Sequence, residues 1–248
     1  MQAQASQTTA QKLEAEFATT AARLVQQRLD GAEESEKLQE EGLSILDGIV
    51  LEAVNAPGPT AQSLEALNQR LAGLVTQQPA AGEDYRVVEL RANPPVFGLA
   101  ANLALGGPAA VRVYGQAGGE SRYRRVARID RFAQKDFLDS TIELILVARA
   151  AGDAGVLFLT VAGRTDQLQT GAFTAWRLEG ERLRAVWSSE LLQQSSYESA
   201  GDGLRLTYCA QPDEVTPRIC RRMTRERYAW DGAQWRRVEQ RDLPVPKQ

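Results

Sequence analysis

The sequence predicts an α+β protein: an N-terminal helical hairpin or three-helix segment, then an antiparallel all-β domain, a meander, sandwich or barrel of about 9–11 short strands. Two changes near residue 84 and one regularity beyond it carry that prediction. Apolar residues recur at close to the helical period before residue 84 and at alternate positions after it. Charge changes at the same place: residues 1–83 hold 5 Lys+Arg against 12 Asp+Glu, net −7, and residues 84–248 hold 24 against 20, net +4. Gly-rich turns (GGP, QAGGE, AAGDAG, LEGE, AGDG, DGA) then punctuate the second part. The organisation expected is a disordered terminus over 1–7, helices over 8–78, a linker over 79–84, a β domain over 85–243 and a tail over 244–248.

Thr8-Thr9-Ala10-Gln11 fits a T-x-x-Q capping box, in which hydroxyl and amide side chains satisfy the first free N–H groups of a helix. Leu13, Phe17, Ala21, Leu24 and Leu29 continue that helix, and Gly31 is its expected stop. The acidic run AEESEKLQEE opens a second helix, where carboxylates suit the macrodipole. Leu38, Leu43, Ile45, Leu46, Ile49, Val50 and Val54 line it up to the breaker APGP. Gly42 and Gly48 inside this helix each cost about 1 kcal/mol relative to Ala, so close packing or a kink is expected there. Thr60 caps a third helix carrying Leu64, Leu67, Leu71 and Leu74, too short a series to define a coiled coil.

Alternation marks eleven strands: 85–91, 96–105, 109–115, 121–130, 141–149, 155–162, 172–178, 183–188, 204–209, 219–230 and 234–240. TIELILVA and VLFLTVA are apolar at both parities and are expected to be central strands. A weak repeat runs through the same region. GGESRYRRV, GERLRAV and GAQWRRV share a Gly turn, a large residue, Arg and Val, each after an aromatic strand (VYG, AWRLEG, YAWDG). Tyr123, Leu183 and Trp235 lie 60 and 52 residues apart, near the spacing of propeller blades. A closed propeller generally needs at least ~4 blades, so repeated hairpins in one sandwich or barrel are expected instead.

The chain contains no histidine. Ser-His-Asp and Cys-His nucleophiles, imidazole zinc sites and imidazole acid–base chemistry are therefore excluded. GxxxxGK[ST] and G-x-S-x-G are absent, and no apolar run approaches the ~20 residues of a spanning helix. In RIDRFAQKDFLDST, Asp130, Asp136 and Asp139 are candidate ligands for Ca²⁺ or Mg²⁺, or an acid and a base. Their spacing matches no EF-hand, and turn or cap roles are the commoner use of such residues. Between 218 and 241 eight Arg and three acidic residues interleave with Tyr228, Trp230 and Trp235. That composition suits a polyanion, but Arg221, Met223, Arg225 and Arg227 share one parity, as a solvated face would. Nucleic acid is not the expected partner of a chain with a pI near 5.3.

Cys209 and Cys220 are the only cysteines. C-x10-C without histidine has too few ligands for a zinc site and is not a C-x-x-C redox pair. Two strands flanking a loop with Pro212 and Pro217 are expected to bring the cysteines directly opposite each other, on the polar face, as a disulfide. A disulfide, together with the A-x-A triplet at Ala3-Gln4-Ala5, points to an exported protein whose signal peptide is not part of this chain. The hairpin W-D-G-x-x-W-x-x-V and the short Pro tail have the general look of exported bacterial β domains. The expected function is a non-enzymatic periplasmic or envelope module that binds a protein or a glycan, with no cofactor. The alternatives are a carboxylate-dependent hydrolase using Asp130, Asp136 and Asp139, and a β barrel for a small ligand.

Overall fold

The computed structural model describes residues 8–28, 33–56, 60–77, 84–102, 109–116, 120–129, 141–146, 155–164, 170–200, 203–216 and 219–245. Three helices, α1 (Thr9–Arg28), α2 (Glu33–Val54) and α3 (Thr60–Gln77), precede twelve strands. The first sheet contains β1 (Asp84–Ala92), β2 (Pro95–Asn102), β3 (Ala110–Gln116) and β4 (Tyr123–Ile129). The second contains β5 (Thr141–Leu146), β6 (Val156–Arg164), β7 (Thr170–Glu179) and β8 (Arg182–Ser188). The third contains β9 (Gln193–Ala200), β10 (Gly203–Pro212), β11 (Cys220–Trp230) and β12 (Trp235–Leu243). Each sheet is hydrogen-bonded strictly in chain order, so the α+β class and the antiparallel meander are what forms. None of the three closes on itself as a barrel.

The chain divides into two compact units: Met1–Val88 with Pro94–Arg131, and Glu89–Asn93 with Phe132–Gln248. In the first, the capping box forms as the sequence predicts. The Thr8 N–H donates to Gln11 Oε1 at 2.9 Å, and the Gln11 N–H donates to Thr8 Oγ1 at 3.3 Å. α1 and α2 run antiparallel, with Leu13 beside Gly48, Phe17 beside Gly42 and Thr20 bonded to Glu41. A Cβ on Gly48 would stand 3.2 Å from Leu13 Cδ2, so close packing, not a kink, accounts for this glycine. The helices bury Phe17, Leu46, Ile49 and Leu71 against Tyr85, Phe97, Leu99 and Tyr114 of the first sheet. Removing these apolar side chains from water is the main driving force for that packing.

Two asparagines finish the edges of this sheet. Asn68 of α3 donates to the carbonyl of Val87 and accepts from its N–H, at 2.9 and 2.8 Å. Asn55, just past α2, does the same to Tyr123 at 3.1 and 2.8 Å. A primary amide presents the same donor–acceptor pair as a neighbouring strand. Each therefore satisfies one residue of an edge strand, β1 or β4, that would otherwise offer open backbone groups. Arg70 of α3 joins the helices to one another through Glu14 of α1 and Glu52 of α2.

In the second unit, two sheets pack face to face. Leu157, Leu159, Val161, Phe173 and Ala175 of the second sheet meet Leu204, Leu206, Trp230 and Trp235 of the third. β6, from VLFLTVA, is an inner strand buried at both parities, as expected. β5, from TIELILVA, is instead a sheet edge. Its apolar run gave no information on position, because composition does not report how many strands flank a strand. β9 (QQSSYESA) is a strand the sequence does not announce. It is a polar edge strand, without the apolar alternation that marks a half-buried one.

The repeat falls one copy per sheet, at the last hairpin of each, not several to one sandwich or barrel. Tyr123, Leu183 and Trp235 stand at the starts of β4, β8 and β12. Two residues on, Arg125, Ala185 and Arg237 stand opposite Tyr114, Trp176 and Tyr228 of the preceding strand. The valine that follows (Val126, Val186, Val238) is the extra residue of a bulge in all three ladders. A bulge sharpens strand twist and re-aims the side chains beside it. Gly180 and Gly232 turn two of these hairpins at φ of 60° and 94°, a conformation other residues rarely adopt. A four-stranded meander in chain order is the topology of a propeller blade, and this chain builds it three times.

Candidate functional site

Asp130, Asp136 and Asp139 lie outside the described residues. Among the described residues, no three His, Cys, Asp or Glu side chains are placed to hold a metal ion. No described helix is long and apolar enough to cross a membrane.

Cys209 and Cys220 form a disulfide with Cα atoms 5.7 Å apart. Their placement differs from the expected one in two respects. Cys209 stands opposite Met223 and Cys220 opposite Pro212, because the β10–β11 ladder shifts register twice beside Gln211. The bulge, not direct cross-strand opposition, brings the sulfurs together. Both residues are also buried, although Cys209 keeps the parity of Arg205 and Thr207.

Two buried carboxylates that sequence reading passed over anchor polar clusters among the described residues. Each is gripped by an aromatic hydroxyl and an arginine from one hairpin of the repeat. In the first unit Asp47, on the buried side of α2, accepts from Tyr114 Oη at 2.6 Å and from Arg125 Nη1. Arg112, fully buried, lies 3.9 Å from the same carboxylate and 3.3 Å from Glu40. Burial pushes the Tyr114 phenol well above its ordinary range, Asp47 adds to that, and Arg112 and Arg125 oppose it. With helices over it, this cluster holds α2 to the sheet.

In the second unit Glu226 takes the equivalent place and has a different setting. It is buried, and its two oxygens accept from Tyr228 Oη at 2.7 Å and Arg237 Nη1 at 2.6 Å. Burial first, then the hydrogen bond to Glu226, raises the Tyr228 phenol. The Tyr208 phenol rises for the same first reason, with the charge of Glu226 second. The Glu226 hydrogen bond raises Arg237 further above an already high value. The carboxylate itself is buried like that of Asp47, while the Arg237 side chain is 51% exposed and Tyr208 and Tyr228 are half-buried. The half-buried Trp187 ring lies 4.7 Å from Tyr228 and 6.3 Å from Trp235. The indole N–H groups of Trp230 and Trp235 are buried and have no acceptor among the described residues. Arg177 stacks over the Trp230 ring at 5.6 Å.

The arrangement is a carboxylate, a partly exposed guanidinium and phenols beside an aromatic face. It combines directional hydrogen bonds with aromatic rings tilted against one another. The carboxylate's oxygens are committed to Arg237 and Tyr228, which holds it as an acceptor. A signal for both sites was present in the sequence. Arg125 and Arg237 occupy one position of the repeat, and Asp47 interrupts the apolar stripe of α2 between Leu43 and Val50.

No protein-family model matches the chain, and no curated protein is significantly similar to it. Among solved structures, the chain is similar to a mutant alpha-L-arabinofuranosidase from Fusarium graminearum in complex with an iminosugar inhibitor. Identity is 12% and the TM-score 0.37, over 66% of this chain and 48% of that one. The chain thus spans about half the length of that enzyme. A likeness this slight defines neither fold nor function.

Proposed function

We propose that this chain is a non-catalytic, exported binding module whose partner is a glycan, received at the Glu226–Arg237 cluster of the second unit. One observation carries the reading: the buried Glu226 carboxylate, bonded to Tyr228 and Arg237, lies in a cluster with the half-buried Trp187 ring. Sugar hydroxyls both donate and accept, so a carboxylate, a guanidinium and phenols complement them. The C–H face of a pyranose packs on an aromatic ring. Export to the periplasm or the exterior is supported by the Cys209–Cys220 disulfide, since such bonds persist in oxidising compartments.

The test is titration with neutral oligosaccharides followed by tryptophan fluorescence. A saturable change is expected, abolished by Trp187→Ala and weakened by Glu226→Gln. Steady hydrolysis of the bound sugar would replace the module with an enzyme. Absence of any glycan binding, together with a specific cross-linked protein, would make the partner a protein.

A further inference from the structure

The outer face of the third sheet carries a charge arrangement that the fold itself does not need. On the face opposite Trp230, Glu226 and Leu206, four arginines occupy three adjacent strands. Arg205 stands opposite Arg227, and Arg225 stands opposite Arg241. Like charges directly opposed on neighbouring strands are destabilising. The first pair is framed by carboxylates: Glu198 bonds Arg205 at 2.7 Å, and Glu239 stands opposite Arg227. The second pair is not. Among the described residues, neither Arg225 nor Arg241 meets a carboxylate. Thr207, opposite Arg225, accepts from its Nε at 3.2 Å, which orients that guanidinium.

We infer that the Arg225–Arg241 pair is a binding site for a single oxyanion, a carboxylate or sulfate, carried on a glycan. Two guanidiniums in register complement one oxyanion with parallel charge-assisted hydrogen bonds. The class of ligand follows from what surrounds them. Glu198 and Glu239 flank the neighbouring row and repel a continuous polyphosphate, so the site suits an isolated charge on an otherwise neutral chain. The aromatic residues of this sheet, Tyr208, Tyr228, Trp230 and Trp235, belong to its opposite face, so bases would find no stacking platform here. The outer positions near the pair are Met223, Ala229 and Leu243. Nucleic acid is therefore disfavoured, and an acidic sugar fits. This names a charge on the glycan proposed above and rests on that reading, although the two sites are on opposite faces of one sheet.

The experiment compares a uronate-bearing oligosaccharide with its carboxyl-reduced form by calorimetry, using the full chain, Arg225→Gln, Arg241→Gln and Trp187→Ala. The acidic form is expected to bind about tenfold more tightly than the reduced form, and each Arg variant to erase that preference. Trp187→Ala should weaken both forms equally and leave their ratio intact. Inorganic sulfate should compete with the acidic form only. Arg241→Gln should raise the melting temperature at low salt, which shows that the variant folds and that repulsion has been relieved. Equal binding of the two forms, or a preference that survives both Arg variants, overturns the oxyanion site without touching the glycan reading. Loss of all oligosaccharide binding in the unmodified chain overturns both. A single-stranded oligonucleotide that binds more tightly than the uronate, and is lost in the Arg variants, reassigns the face to nucleic acid.

Discussion

Tyr114 and Arg125 stand directly opposite each other across β3 and β4, and both close on the carboxylate of Asp47. Tyr228 and Arg237 repeat the relationship across β11 and β12 on Glu226. In the middle copy the same positions hold Trp176 and Ala185, and the Trp176 indole donates to Thr160 Oγ1 at 2.8 Å. One backbone device, a hairpin with a bulge after its third residue, thus presents a polar grip twice and a neutral one once. The carboxylate comes from a helix in the first grip and from the tyrosine's own strand in the last.

The Asp47 grip should behave as a buried ion cluster. Asp47→Ala removes a carboxylate from beside the fully buried Arg112 and should cost about 3–5 kcal/mol. Tyr114→Phe removes one hydrogen bond to a charge and should cost about 1.5–3 kcal/mol. Urea denaturation measures both. A Tyr114→Phe loss equal to that of Asp47→Ala would mean that the phenol, not the carboxylate, organises the cluster.

Reduction of the Cys209–Cys220 bond opens a loop with a sequence separation of 11 and should destabilise the second unit by about 2–3 kcal/mol. Thiol titration of the unfolded, unreduced protein should find no free thiol. Two free thiols would remove the disulfide and with it the main support for export.

Two glycines should respond in opposite ways to alanine. A Cβ on Gly203 would lie 1.9 Å from the carbonyl oxygen of Tyr228, backbone that cannot give way without opening the β10–β11 ladder. Gly203→Ala should therefore cost more than about 2 kcal/mol. At Gly48 the nearest atom is the tip of Leu13 at 3.2 Å, and the helix gains about 1 kcal/mol of propensity. Gly48→Ala should come out within about 1 kcal/mol of neutral. Thermal melts of the two variants decide whether backbone or side chain sets each cost.

Stability should fall in alkali. Burial raises the phenols of Tyr85, Tyr114 and Tyr228 above their ordinary 10.0. Above that value the unfolded chain loses these protons while the folded protein keeps them, so the folded state binds more protons and stability drops as pH rises. The contribution is complete below about pH 10 and lost progressively above it. Spectroscopic titration should show these phenolates appearing together with unfolding. Ionisation of every tyrosine in a still-folded protein would contradict the assigned burial.

The sequence by itself determined the helices, the meander, the disulfide partners and the three copies of the hairpin motif. These rest on local chemistry: period, capping, glycine turns and the lack of any third sulfur or imidazole ligand. Tertiary structure decided what no local pattern encodes. It put TIELIL at an edge and made a strand of QQSSYESA, because strand position depends on partners and not on composition. It dealt the repeats one to a sheet, and it drew the cysteines together through a bulge that shifts register by amounts alternation cannot count. It also gathered Asp47 with Arg125, 78 residues away, and Glu226 with Arg237, because one hairpin of the repeat met a helix and the other closed on a carboxylate of its own strand.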